Sequence, residues 1–215
     1  MMTVNPHPDL AWLIDYAAGN LTPGFHTVIA GHLEVCAVCR EQARAASNFG
    51  LKMINDSAPQ TPPRLAPAAI RSLNRTSHVS PAPPLPRTRS ANLREFVASR
   101  LSFDWTALNW RAGVAGLRIA KLQENDLERV WLLHGSAGTP LPKHSHSGAE
   151  LALILHGAYR TANQEFGAGD IDESDEAITH QPIVTAADEC FCLLVFDGQI
   201  KYTGAMGLAQ RILKF

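Results

Sequence analysis

The spacing of apolar positions changes partway along the chain. Over roughly the first 55 residues it is helical. Leu10, Leu13, Ile14 and Ala17 mark one face of a first helix, and Gly19 predicts its C-terminal stop. Thr22-Pro23 reads as an N-cap followed by proline at the first helical position, and Phe25, Val28, Ile29 and Leu33 carry a second helix. A third, alanine-rich helix is expected from about Cys36 to about Ile54. Far downstream the pattern differs. LRIAKL, RVWLLHG, ELALILHGAYR and CFCLLVF are short apolar runs bounded by Gly, Pro or Asp. They predict closely spaced strands, as in a barrel or sandwich.

Between the two regimes lie eight of the 14 prolines, from Pro59 to Pro86. PQTPPR and SPAPPLPRTRS cannot hold a helix or strand, because proline lacks the N–H and fixes φ. They read as extended linker. LAPAAIRSLNR, between them, has Leu65, Ala69, Ile70 and Leu73 at helical spacing and is expected to form one short tethered helix. The chain is thus expected to be α+β and multidomain. Residues 1–77 form a small helical domain, 78–91 a proline-rich linker and 92–215 a β-barrel domain. So few helices make a core too small to stand without a staple.

Charge excludes some classes. The formal net charge is −1 and the pI about 6.7, so no global field draws the chain to nucleic acid. No apolar run is long enough to span a bilayer, and MMTVNPHPDL lacks the basic start and apolar stretch of a signal peptide. The expected compartment is the cytoplasm, where the four cysteines stay reduced and read as ligands or reactive thiols.

His32-x3-Cys36-x2-Cys39 is the strongest local signal of the helical part. Residues three, four and seven apart share a helix face, so an imidazole and two thiolates can converge on one ion. Zinc takes four such ligands as a tetrahedron, and a helical hairpin can return His7 as the fourth. The plain alternative is two buried free cysteines beside a capping histidine. His26 is expected at the surface. With DYAAGNL at Asp15–Leu21, the pattern His7…His32-x3-Cys36-x2-Cys39 resembles the zinc-binding anti-sigma domain. The resemblance implies a helical domain that clamps an extracytoplasmic-function (ECF) sigma factor, with Zn2+ at these four residues.

Gly138-x5-His144-x-His146-x3-Glu150-x6-Gly157 matches the first cupin motif. Residues two apart on a strand face one side, so His144 and His146 point together into a barrel, and Glu150 follows at even spacing. In cupins a later strand gives the fourth ligand, here His180 in ITHQP, although it follows GAGDI at Gly167–Ile171 at a longer distance than usual. Three imidazoles and a carboxylate suit Zn2+ or another divalent transition metal. The alternative is a vestigial barrel whose histidines pack or face solvent. His78, His134 and His156 fit no ligand spacing. Cys190 and Cys192 face the same way on a strand and sit badly for a mutual disulfide; ordinary packing is favoured over an oxidant-sensitive pair. Asp170, Asp172, Glu173, Asp175 and Glu176 are expected to form a solvated loop.

A zinc anti-sigma domain, a proline-rich linker and a cupin together resemble the ChrR-type anti-sigma factors over nearly the whole chain, with HSHSGAELALILHGAYR and FGAGDI in support. The resemblance implies a regulator that is not an enzyme. It inhibits an ECF sigma factor, releases it when the cupin responds to oxidants such as singlet oxygen or organic hydroperoxides, and makes no direct contact with nucleic acid or membrane. A cupin-mediated homodimer is compatible with it. The competing class is a dioxygenase-like cupin enzyme with a helical adaptor, which demands an open metal position and polar groups lining the barrel. Ala152 and Ile154, expected to point inward, are apolar.

Overall fold

A computed structural model describes residues 6–57, 92–114, 116–204 and 207. The tethered helix LAPAAIRSLNR and the linker 78–91 lie outside the described residues, as does His78. The helices are α1 (Leu10–Ala18), α2 (Pro23–Val35), α3 (Ala37–Ser57) and α4 (Leu93–Leu101), followed by a 3-10 turn, Trp105–Ala107.

Local sequence sets the helix ends as expected. Gly19 closes α1 at φ 73°, a left-handed conformation that glycine adopts without penalty. Thr22 precedes Pro23 at the start of α2, yet its hydroxyl makes no cap of its own. Cys36 breaks the helical path in an extended conformation between α2 and α3. The Arg40 guanidinium donates to the carbonyls of Leu33 and Glu34, which the end of α2 leaves free.

Among the described residues twelve strands follow: β1 (Arg111–Ala112), β2 (Leu117–Glu124), β3 (Arg129–Gly135), β4 (His144–His146), β5 (Glu150–His156), β6 (Ala158–Arg160), β7 (Glu165–Gly167), β8 (Ile171–Ser174), β9 (Thr179–His180), β10 (Ile183–Val184), β11 (Cys190–Phe196) and β12 (Ile200–Tyr202). A six-stranded sheet runs β1-β2-β3-β11-β5-β8; two three-stranded sheets run β10-β6-β7 and β12-β4-β9. Gly157 joins β5 to β6 at φ 67°, and a Cβ there would lie 2.0 Å from the Glu189 carbonyl oxygen.

Two cores share the large sheet. Leu117, Leu133, Ala152, Ile154, Tyr159, Phe166, Cys190, Cys192 and Leu194 fill the barrel side. On the opposite side Val130, Leu132, Leu151, Leu153, Leu193 and Val195 pack with Leu13, Phe25, Val28, Ile29, Leu33 and Val97 of the helices. Strands β5 and β11 are therefore buried on both faces almost throughout, which explains why ELALILH and CFCLLVF are continuous apolar runs rather than alternating ones. Helix α2 approaches so closely that a Cβ on Gly31 would meet Leu153 Cδ2 at 2.5 Å.

The acidic run is not a solvated loop, contrary to the sequence expectation. Residues 171–174 are strand β8, Asp172 is buried, and Glu173 is half-buried against the helices. Both faces of β8 are covered, and each carboxylate has a hydrogen-bond donor that offsets its desolvation. Asp175 and Glu176 are exposed, as a loop reading expects.

Candidate metal centres

His7, His32, Cys36 and Cys39 come together, their ligand atoms all within 4.8 Å of one another. Pro6 and His7 lead into α1, His32 lies on the last turn of α2, Cys36 sits at the break, and Cys39 is on the first turn of α3. The Cys39 N–H points at Cys36 Sγ, 3.5 Å away, so Cys36 also caps α3. His7 Nδ1 lies 3.3 Å from His32 Nε2, 3.4 Å from Cys36 Sγ and 3.5 Å from Cys39 Sγ. One ring nitrogen cannot hydrogen-bond three such neighbours at once; four donor atoms around a common point are compatible with a bound metal ion. His32 Nδ1 is 2.7 Å from the Gly169 carbonyl, which can only accept. The proton is therefore on Nδ1, and the Nε2 lone pair faces the cluster. Burial pushes the Cys39 thiol up to about 12, with the Cys36 hydrogen bond and charge adding to it. A cation at the centre reverses that balance. His26 is outside the group, half-buried and stacked on Tyr16.

His144, His146, Glu150 and His180 form the second group. It spans two sheets: β4 and β9 pair with His144 opposite His180, whereas Glu150 starts β5 in the large sheet. His180 Nε2 lies 3.0 Å from His144 Nε2 and 3.2 Å from His146 Nε2. His144 Nδ1–H donates to the Pro142 carbonyl at 2.8 Å, which fixes its tautomer and leaves Nε2 for the cluster. His146 Nδ1 and Glu150 Oε2 are buried without a hydrogen-bond partner among the described residues, 3.6 Å apart. Burial raises Glu150 to about 8 and lowers His146 to about 4 and His180 to about 3. Neutral imidazoles offering lone pairs beside an orphaned buried carboxylate are what a metal ion would satisfy.

Behind Glu150, Asp172 Oδ2 accepts from the Tyr159 hydroxyl at 2.8 Å and lies 3.8 Å from His180 Nδ1. Burial raises Asp172 to about 6. An apolar cavity of about 80 Å³ adjoins the group, walled by Leu117, Leu133, Leu141 and Leu194 and touched by Tyr159 and Cys192. Cys190 and Cys192 are free, buried thiols. The Cys192 thiol is pushed up by its hydrogen bond to Cys190 and by burial. His134 is buried between Arg118 and Glu189, and the exposed His156 meets Asp188, so neither joins a cluster.

Several residues that organise these groups carry no motif. Gly169, Asp172 and Glu173 belong to the stretch read as turn and acidic loop. Glu128, fully buried, crosses from the β2–β3 hairpin to the start of α2. It accepts from the Thr22 hydroxyl and, at 2.9 Å and 3.4 Å, from the N–H groups of Gly24 and Phe25. Only tertiary structure reveals these roles; the glycine turn in FGAGDI was the one hint.

Likeness to known proteins agrees with this architecture. Residues 98–201 match the profile of the ChrR cupin-like domain. The anti-sigma-E factor ChrR of Cereibacter sphaeroides is 33% identical over 206 residues, covering 94% of this chain and 93% of that protein. The crystal structure of Rhodobacter sphaeroides SigE in complex with the anti-sigma ChrR aligns with a TM-score of 0.70 at 31% identity, covering 89% of this chain and 98% of the matched one. A likeness that runs from the His/Cys helices through the barrel, at this identity and nearly end to end on both sides, means that the chain belongs to the ChrR family of anti-sigma factors.

Proposed function

We propose that the chain binds an ECF sigma factor through its helical part, holds it inactive, and releases it when the cupin responds to oxidants such as singlet oxygen or organic hydroperoxides. Residues 1–77 are the inhibitory unit, 78–91 the tether and 92–215 the sensing cupin, acting in the cytoplasm. Among the described residues no helix is long and apolar enough to cross a membrane. One observation carries the partner reading. The helices that bear the His/Cys group leave large apolar side chains uncovered: Leu10 is 53% exposed, Ile14 50%, Val38 62% and Phe49 65%. Exposure of that kind on the helices, beside an otherwise well-buried core, suits a protein–protein surface. The matched ChrR structure is itself a complex with a sigma factor.

Zn2+ is the ion we assign to His7, His32, Cys36 and Cys39. Tetrahedral zinc with bonds of roughly 2.0–2.1 Å to nitrogen and roughly 2.3 Å to sulfur has N–N and N–S edges of roughly 3.3–3.6 Å. The observed separations of 3.3, 3.4 and 3.5 Å support it. Its contribution is structural, tying the start of α1 to the α2–α3 break. At His144, His146, Glu150 and His180 we assign Zn2+ or another divalent transition metal, which would supply a Lewis-acidic centre beside the apolar cavity. Of the chain's own residues there, the Pro142 carbonyl fixes the His144 tautomer and the Tyr159 hydroxyl holds Asp172. Beyond His144, Glu150 and His180 themselves, the cavity is lined largely by apolar side chains, which favours a sensor over a dioxygenase-like enzyme.

Co-expression with candidate ECF sigma factors, size-exclusion chromatography and metal analysis test this. A one-to-one complex with about two metals per chain is expected, and a cupin-mediated homodimer would double its mass. Leu10→Glu with Ile14→Glu should abolish the complex while both metals remain bound. Normal inhibition by His32→Ala with Cys36→Ala would refute the role of the first group.

A further inference from the structure

We infer that Gly169 and Glu173 of the cupin are positioning residues of the His7/His32/Cys36/Cys39 group, and that strand β8 links that group to the cupin group. The inference rests on reading both groups as metal sites.

The β7–β8 turn and β8 touch the first group's scaffold at three places. The Gly169 carbonyl accepts from His32 Nδ1 at 2.7 Å and so directs Nε2 to the cluster. The Ile171 N–H donates to the Pro6 carbonyl at 3.1 Å, holding the residue before His7. Glu173 accepts from the Asp9 N–H at 3.0 Å and from Trp12 Nε1 at 2.9 Å, anchoring the start of α1 two residues after His7. Gly169 stands at φ 95°, and a Cβ there would lie 2.6 Å from Val35 Cγ2, immediately before Cys36. A side chain at 169 would push the end of α2 away from the turn.

The same strand borders the cupin group. Glu150 pairs with Ser174 and Ala152 with Asp172 in the β5–β8 ladder. Asp172, which bonds Tyr159 and approaches His180, is the chain neighbour of Glu173. Alternate residues of a strand face opposite sides. A displacement of β8 that follows Glu150 or Asp172 therefore also moves the Glu173 carboxylate and the Gly169 carbonyl. Loss of a group that hydrogen-bonds a metal-binding histidine, as the Gly169 carbonyl does His32, typically changes metal affinity about 10–100-fold.

Cobalt(II) added to the metal-free full chain separates the two groups. Only the first offers two cysteines to the ion and gives a thiolate-to-cobalt charge-transfer absorption. Chelator competition against that band should show about ten-fold weaker binding in Glu173→Ala and Gly169→Ala, with most of the affinity retained in Glu173→Gln. Glu150→Gln, which weakens the cupin group, should also weaken the thiolate band's affinity. By reciprocity, metal at either group should raise the other's affinity by one common factor, and Cys39→Ala, which empties the first group, should weaken the cupin group. Should Gly169→Ala fail to fold, as judged by circular dichroism, Glu173→Ala and Glu150→Gln decide. Thiolate-site affinity within about two-fold of the parent in both overturns the linkage, judged against the same expected loss. Absence of the band in the parent protein refutes the metal reading itself.

Discussion

Replacing Glu128 tests how firmly the helices are tied to the barrel. Its carboxylate is fully buried and serves as the cap that Thr22 does not provide for α2. In Glu128→Ala the buried N–H groups of Gly24 and Phe25 lose their acceptor, and the Thr22 hydroxyl loses its partner. A buried donor left unsatisfied costs about 1–3 kcal/mol, so two set a gross loss of about 2–6 kcal/mol. Relief from burying the carboxylate offsets part of this, and we expect a net loss of about 2–3 kcal/mol. Glu128→Gln keeps the volume and one acceptor and should lose about half as much. The measurement is urea unfolding of metal-loaded full-length protein, followed by tryptophan fluorescence and far-UV circular dichroism. With the tie weakened, the two probes should separate, the helices melting before the barrel. A change below about 0.5 kcal/mol with coincident transitions would refute the reasoning, because surface substitutions give no more than that.

The cupin carboxylate predicts an unusual pH dependence. The pKa of Glu150 is raised by folding, to about 8 from 4.5, so the folded metal-free protein binds the extra proton and its stability falls as pH rises through that window. Asp172, raised to about 6, adds the same sign at lower pH. His146 and His180 are lowered, and their contribution is lost as pH falls below about 6.5. Between pH 6.5 and 8 the Glu150 slope remains, at most about 1.4 kcal/mol per pH unit. Metal should abolish it by holding Glu150 ionised, and denaturant titrations with and without chelator that gave equal slopes would disprove this. Gly157→Ala places a Cβ against the Glu189 backbone in a left-handed conformation, and soluble yield together with thermal melting should report a loss of at least about 3 kcal/mol. Leu153→Ala, fully buried beneath Gly31, should lose about 2–5 kcal/mol in the same melts.

Local chemistry was legible where it acts over a few residues. Gly19, Thr22-Pro23 and the apolar spacing of α2 announced their elements, because caps and periodicity are short-range. His32, Cys36 and Cys39, and His144, His146 and Glu150, could be named because helical and strand spacing limit which side chains converge; His7 and His180 fit no such spacing and rested on the start of the first helix and on the likeness to cupins. The docking of the helices on the sheet was not legible. Nothing in ELALILH distinguishes a face covered by helices from one covered by a second sheet. The acidic run misled for a related reason: Asp172 and Glu173 are buried through donors on Tyr159, Asp9 and Trp12, all distant in sequence. Glu128 had no signal at all, since its partners lie about a hundred residues upstream and belong to a helix terminus rather than a motif.

The two-sided burial of β5 and β11 gives a rule for interpreting variants. Leu151, Leu153, Leu193 and Val195 belong to the helix-facing core, whereas Ala152, Ile154, Cys192 and Leu194 belong to the barrel. Substitutions scanned along either strand should therefore sort by parity into two phenotypes. One class would act first on the helices that grip the partner and the other first on the cupin cavity, each reaching the other side only through β8. Immediate neighbours in the gene would then behave as if they belonged to different proteins.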